Sequence, residues 1–529
     1  MSHSPYAGRH EDTTRLIDYF DKGARAFPQR VAVTYEGRDW SYEAFRGLTC
    51  RAARALDAVG LRPHSHVSIC APNHPFGLAA QYGAIRAGHV WMPVNARNSA
   101  IENVAVLRDL GADWLFFHSQ FEDEVSRIRA AVPTIRGFVC LDRALPGAPS
   151  FDEWCGGHAA DHLDLAGSMD DVPVMLTTSG TTGRPKGVRL SNRSWEMVIA
   201  SYQTAMPHDE PPRQLVVTPL THQTGTFTTT MWSIGSTQVI LPRTDPLSIM
   251  EAIEKFRITT VFLPPTLIYT MLSHPEVRRF DYSSLRYMMY GAAPMSVAKL
   301  NEALDVFGPV LVQGFGQSEC PIMSFLSVQD HVRALAEPTL RRRLQSAGRA
   351  GPYTCLAIMD DEGRLLPAEQ RGEIVVRSTL VMQGYHQDAA ATAAVSGHGW
   401  HHTGDVGYLD ADGYLYIVDR KRDLIISGGF NIFPTEVEQV VMAHAAVNEC
   451  AVVGVPHDKW GEAVLAVVEL RKGAAVTAEE LLDWCRERLG GVKAPKSLEF
   501  TDSLPRTATG KVLRREIRAR HWAGRERAI

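Results

Sequence analysis

Cysteine pairs, long apolar runs, excess charge of one sign and lysine are all scarce in this sequence, and each scarcity is informative. The eight cysteines (Cys50, Cys70, Cys140, Cys155, Cys320, Cys355, Cys450 and Cys485) include no Cys-x-x-Cys, and a chain of 529 residues needs no cross-links. They read as free thiols, most of them buried, in a reducing compartment. No apolar stretch approaches the ~20 residues that cross a bilayer. The N-terminus MSHSPYAGRHEDTTRL has no apolar centre and is not a secretory signal, and the final RERAI matches no anchor or address. The expectation is a cytoplasmic protein without integral membrane association. With 55 basic and 59 acidic side chains the net charge is only −4, which argues against a nucleic-acid partner. Ten of the basic residues are lysines and 45 are arginines, so each lysine is worth locating.

What is present is an ordinary globular balance. Apolar residues make up 45% and charged residues 22%, which excludes disorder, collagen and coiled coil. The length allows three or four units, or one large domain with a smaller partner. From about residue 13 to 420 helical and strand patterns alternate. Val31–Tyr35 reads as a strand, Ser41–Val59 as a helix stopped by Gly60, Val67–Ala71 as a strand, Ala79–Ala87 as a helix and Val90–Val94 as a strand. This rhythm predicts parallel sheets covered by helices. The texture changes near 410, with a hairpin around Asp412-Gly413 and then a compact mixed unit. There Pro434 opens a helix, Glu449–Val455 and Ala463–Leu470 are strands, and Thr477 with Glu480 forms a capping box for a helix to Leu489. The last helix is expected near Lys511. The division predicted is 1–421 and 422–529, linked at Arg420–Arg422.

Four segments carry chemistry. After the apolar strand Val172–Leu176 comes Thr177-Thr178-Ser179-Gly180-Thr181-Thr182-Gly183-Arg184-Pro185-Lys186-Gly187. Glycines let backbone N–H groups approach an anion, hydroxyls add donors and a lysine adds charge, which makes a polyphosphate grip. It is not a Walker A loop, because Pro185 precedes the lysine and Gly187 follows it. The second segment, Gln313-Gly314-Phe315-Gly316-Gln317-Ser318-Glu319-Cys320, offers an aromatic for stacking on a base and an acid for magnesium. Read alone it fits a loop, a nucleotide site or a nucleophile elbow around Ser318, although Cys320 stands where the elbow needs glycine. In Trp400-His401-His402-Thr403-Gly404-Asp405, a turn-borne acid suits two ribose hydroxyls. Its adjacent histidines point in different directions, which disfavours zinc. Finally, Pro505-Arg506-Thr507-Ala508-Thr509-Gly510-Lys511 places a lysine at a helix start, against the helix dipole.

In this order and spacing the segments resemble the superfamily of adenylate-forming enzymes: acyl- and aryl-CoA synthetases, peptide-synthetase adenylation domains and luciferases. The resemblance runs from about Thr13 to Arg518 and adds YGAAP, WHHTGD and DRKRDLIISGG to the motifs above. It implies an α/β fold: a large N-terminal domain of layered parallel sheets with a β-barrel-like part, and a small mobile α+β C-terminal domain. By position, Thr178, Ser179, Gly180, Thr181, Thr182, Gly183 and Lys186 would grip the phosphates. Gly291, Ala292 and Ala293 would flank the adenine. Gly314, Phe315, Gly316, Gln317 and Ser318 would continue the nucleotide site, with Phe315 in place of the usual tyrosine and Ser318 in place of threonine. Glu319 matches the magnesium acid, Asp405 and Arg420 the ribose pair, and His222 the gate between ATP and acyl sites. Arg422 matches the hinge, Gly428 and Gly429 the pantetheine tunnel, and Lys511 the catalytic lysine of the first half-reaction. The acyl pocket is expected from His222, Thr224, Gly225, Tyr290, Gly291, Gly314, Ile322 and Met323.

The implied activity is a CoA ligase using ATP, magnesium and coenzyme A. It would activate a hydrophobic carboxylic acid — aryl, fatty or polycyclic terpenoid — as acyl-AMP, then pass it to a thiol. An acyl-AMP ligase loading a carrier protein is the alternative. Against it stand the absence of a carrier segment before Ile529 and of a long insertion after the hinge. A homodimer is compatible with the sequence. A serine hydrolase using Ser318 would need a base and an oriented acid that the sequence does not place.

Overall fold

The computed structural model describes residues 14–163, 165, 167–179, 185–293, 295–506 and 512–523. Packing divides the chain into two compact units, Met1–Leu356 with Val376–His401, and Ala357–Val375 with His402–Ile529. The division expected at 421/422 falls inside the second unit, where Asp405–Leu409 pairs with Leu415–Arg420.

The first unit holds two large sheets. One has seven strands, ordered Gly384–Tyr385, Pro185–Leu190, Val174–Ser179, Val90–Pro93, His66–Cys70, Ala112–Phe117 and Gly137–Cys140. The last five run parallel and the first two antiparallel. The other has nine strands with a parallel centre that includes Arg213–Val216, Thr260–Phe262, Tyr287–Gly291 and Leu311–Gln317. Cys320–Leu326 returns antiparallel to Leu311–Gln317. Parallel strands buried on both faces are mostly apolar, and Val90–Pro93 and Thr260–Phe262 are buried along their whole length.

The helices follow the expected signals with shifted ends. Val31–Tyr35 is a strand and Tyr42–Ala58 a helix, its N-terminus capped by the Ser41 hydroxyl accepting from Ala44 N–H. The predicted helix Ala79–Ala87 begins earlier, at Pro75, because His74 caps it and proline suits the first helical position. Arg86 and Asp21, both fully buried, pair at 2.7 Å and tie this helix to Leu16–Ala26.

The second unit contains Val447–His457 and Gly461–Leu470 as a long antiparallel pair, with Ile425–Ser427, Phe430–Ile432 and Ser497–Phe500 completing a five-stranded sheet. Pro434–Met442 starts where expected. The Thr477–Glu480 capping box is made, and its helix runs to Lys493 across a kink at Gly490, φ 72°. The last helix spans Arg514–His521, three residues later than expected. Where the barrel-like part is expected, the chain forms a five-stranded sheet of Cys355–Met359, Gly372–Arg377, Trp400–Leu409, Ser396–Gly397 and Leu415–Arg420, in an open order.

Candidate active site

The phosphate-loop segment leaves one strand and returns on its neighbour. Thr178 stands directly across from Lys186. Ser179 ends the outgoing strand, and Gly180, Thr181, Thr182 and Gly183 lie outside the described residues. The Lys186 ammonium sits 4.6 Å from the centre of the Tyr385 ring.

The second motif is a hairpin in the neighbouring sheet. Gly314, Phe315, Gly316 and Gln317 end one strand, Ser318 and Glu319 form the turn, and Cys320 pairs with Gln317 on the return. A nucleophile elbow needs a strand-to-helix turn. This is strand to strand, so the hydrolase reading of Ser318 loses its frame. Gly316 is required by close approach: a Cβ there would lie 2.3 Å from the Pro321 carbonyl oxygen. Gln317 Nε2 lies 3.3 Å from His401 Nε2. The Glu319 carboxylate accepts a 2.6 Å hydrogen bond from the Tyr385 hydroxyl.

Gly291 lies in register with Gly314, and a Cβ on Gly291 would come within 2.5 Å of the Gly314 carbonyl oxygen. Ala292 follows with φ 65° and Ala293 is partly buried. Ile322 and Met323 are buried in the same core cluster as Met289, whose terminal methyl fills the space beside Gly314. Tyr290 departs from the expected pocket. Strand alternation turns it to the opposite face, where its hydroxyl lies 3.0 Å from His331 Nε2 and 3.3 Å from Gln313 Oε1.

His222 precedes the helix Gln223–Met231, in whose first turn Thr224 and Gly225 are buried. The Thr224 hydroxyl bonds to that of Thr218. His222 Nδ1 lies 2.9 Å from the Thr221 carbonyl, and its Nε2 is buried with no hydrogen-bond partner among the described residues. Burial pushes its pKa down, with Arg97 adding to the effect and the Thr221 bond opposing it. The ring is therefore neutral near pH 7, and any gating by it is steric rather than ionic.

In the second unit Asp405 and Arg420 are register partners, with Nε and Oδ1 3.3 Å apart. Arg422 lies in the short 3₁₀ turn Lys421–Asp423. Gly428 and Gly429, at φ 58° and 83°, make the tight turn between Ile425–Ser427 and Phe430–Ile432, which needs left-handed residues at both positions. Lys511 lies outside the described residues, but its neighbours are fixed. Arg506 bridges Val512, and Leu513 N–H donates to the Pro505 carbonyl at 2.8 Å.

The AMP-binding enzyme family matches residues 20–386, and the AMP-binding enzyme C-terminal domain matches residues 436–511. The chain belongs to this family. A feruloyl-CoA synthase from Amycolatopsis sp is 36% identical over 505 residues, covering 94% of this chain and 97% of that protein. An indoleacetate–CoA ligase from Aromatoleum aromaticum is 34% identical over 511 residues, covering 95% and 97%. Among solved structures, the amide bond synthetase McbA from Marinactinospora thermotolerans superposes with a TM-score of 0.86 at 30% identity, over 95% of this chain and 99% of that one.

In this AMP-binding enzyme, contacts outside the sequence motifs hold the segments that carry His222 and flank Lys511. Asn73 grips the strand of chain that leads to His222. Its Nδ2 donates to the Thr218 carbonyl and its Oδ1 accepts from Leu220 N–H, each at 2.9 Å. Gly225 packs against the same loop, where a Cβ would lie 1.9 Å from the Leu220 carbonyl oxygen. Arg514, three places beyond Lys511, donates to Glu438 at 2.9 Å and lies 3.4 Å from Asp419. Only Asn73's place just after a strand, at Pro72-Asn73, hinted at a turn.

Proposed function

We propose that this enzyme is an ATP-dependent, AMP-forming acyl-CoA ligase, and that its acid is an aryl or aryl-alkanoic one. The observation carrying the reading is the pairing of Lys186 and Glu319 about one tyrosine, beside the end of the phosphate-loop strand. Family membership and the names of the aryl-CoA-forming relatives support it. The substrate carboxylate attacks the α-phosphorus of ATP in line and pyrophosphate leaves. A thiol then attacks the acyl-AMP carbonyl and AMP leaves. A carboxylate is a weak nucleophile, so rate must come from positioning and charge neutralisation. Lys186 and Lys511 supply positive charge, and Asp405 with Arg420 holds the ribose. Reuse of one site for both steps requires the C-terminal part to turn at Arg422.

Magnesium fits the donor set. Glu319 forms no ion pair with a described cation, and no group of three or more metal-ligating side chains occurs among the described residues. Glu319 would hold the ion, which when bound would neutralise phosphate charge. Apolar Met289, Ile322 and Met323 near Gly291 and Gly314 suit a flat hydrophobic acid.

Pyrophosphate release over a panel of aryl, fatty and polycyclic acids tests the substrate class. The same acids offered with CoA, a phosphopantetheinyl carrier or a simple amine test the acceptor. Aryl acids with CoA should give the largest kcat/KM. Preference for a fatty acid, a carrier or an amine would overturn that part of the reading.

A further inference from the structure

We infer that Tyr385 is a positioning residue that holds both ionic groups of the phosphate site at once: its hydroxyl orients Glu319 for the metal, and its ring keeps Lys186 from neutralising that carboxylate. The inference rests on the reading of Glu319 as the magnesium ligand.

The placement of Tyr385 is determined by three backbone bonds. Met382 N–H donates to the Glu319 carbonyl at 2.8 Å, which ties the segment to the hairpin turn. Gln383 N–H donates to the Arg189 carbonyl at 2.9 Å, and His386 N–H to the Gly187 carbonyl at 2.7 Å, which tie it to the Lys186 strand. Residues 382–386 therefore staple the edge of one sheet to the turn of the other. Gly384 makes the strap's path feasible, with φ 141°, where any other residue is strained. Tyr385 N–H donates to the Thr392 hydroxyl at 2.9 Å, and the side chain is 8% exposed.

A buried tyrosine hydroxyl needs an acceptor, and a backbone carbonyl would serve. Here it uses one oxygen of the turn carboxylate and leaves the other oxygen for a ligand. Carboxylates that bind metals are commonly held in this way by an outer hydrogen bond. The second half of the argument is electrostatic. A lysine and a glutamate converging on one place would pair and cancel, yet among the described residues no ion pair joins Lys186 to Glu319. The ammonium instead lies against the tyrosine ring at 4.6 Å, an interaction that keeps its full charge.

Four variants test this: Tyr385→Phe, Tyr385→Leu, Glu319→Gln and the double Tyr385→Phe/Glu319→Gln. The readouts are the magnesium dependence of pyrophosphate exchange and the rise in Tm given by α,β-methylene-ATP with magnesium or with EDTA. Tyr385→Phe should raise the half-saturating magnesium concentration about tenfold and shrink only the magnesium-dependent part of the Tm rise. Tyr385→Leu should also shrink the rise in EDTA, because Lys186 loses its ring. The double variant should be no worse than Glu319→Gln. Parental magnesium dependence in Tyr385→Phe, with Glu319→Gln impaired, would overturn the role of Tyr385, as would fully additive losses. Unchanged magnesium dependence in Glu319→Gln would remove the reading on which the inference stands.

Discussion

Asn73 shows how a residue outside every motif can hold a loop in place. Both ends of its amide are used, one on the Thr218 carbonyl and one on Leu220 N–H, so it fixes the loop from which His222 projects. Removing it leaves a partly buried carbonyl and N–H unsatisfied, a loss of about 1–3 kcal/mol that the loop can relieve by moving. Asn73→Ala should therefore raise the KM for the carboxylic acid about tenfold or more, by the same reasoning. The KM for ATP should stay near parental, because the Lys186 and Glu319 segments make no contact through this amide. Steady-state kinetics with each substrate varied would check it. An equal rise in both constants would mean a general loss of structure instead. Neither Asn73 nor Tyr385 was legible in the sequence. They act on residues 66 to 199 positions away, and no local pattern encodes such a contact.

At the scale of elements, the alternation of apolar runs revealed strands and helices well, because period is a local property. Ends were less legible. The helix at Pro75 started before its periodic face, and the helix from Ala478 ran past Leu489 to Lys493. The motif around Ser318 was ambiguous for a similar reason: its residues fit an elbow, and only the antiparallel return of Cys320–Leu326 decides for a hairpin. Proximity in sequence groups Tyr290 with the pocket, whereas alternation along its strand sends it to the other face. The described residues on both sides of Lys511 are anchored. Arg506 pairs with Glu449, and Arg514 with Glu438, on either side of it. If Lys511 serves adenylation alone, Lys511→Ala should lose acyl-AMP formation by about 10²–10³. Supplied with synthetic acyl-AMP and CoA, the same protein should make thioester at near the parental rate. Equal loss in the two half-reactions, with the circular dichroism unchanged, would refute that assignment.

The whole molecule has a pH signature that follows from its buried histidines. Burial pushes His74, His208 and His331 down to about 4. For His331 the Ser327 carbonyl and Asp330 oppose the shift but do not cancel it. Because the folded pKa lies below the unfolded value of 6.5, the unfolded chain binds protons first as pH falls. The stability held by neutral His331 is complete above about pH 6.5 and is lost as pH drops toward about 4, a change of about 3 kcal/mol. The midpoint of thermal unfolding should thus fall between pH 7 and 4.5, and His331→Gln should flatten the fall. A midpoint independent of pH over that range would contradict the burial argument.

The proposed division of labour is the largest claim: Lys186 and Glu319 for phosphate and metal, Asp405 with Arg420 for the ribose, Arg422 for the hinge and Lys511 for the first half-reaction. All of it serves one event, attack of a carboxylate oxygen on the α-phosphorus. That event leaves an isotopic record. A carboxylic acid labelled with oxygen-18 at both oxygens, turned over with ATP and CoA, should yield AMP carrying one labelled oxygen and pyrophosphate carrying none. Unlabelled AMP, or label in pyrophosphate or orthophosphate, would contradict the account.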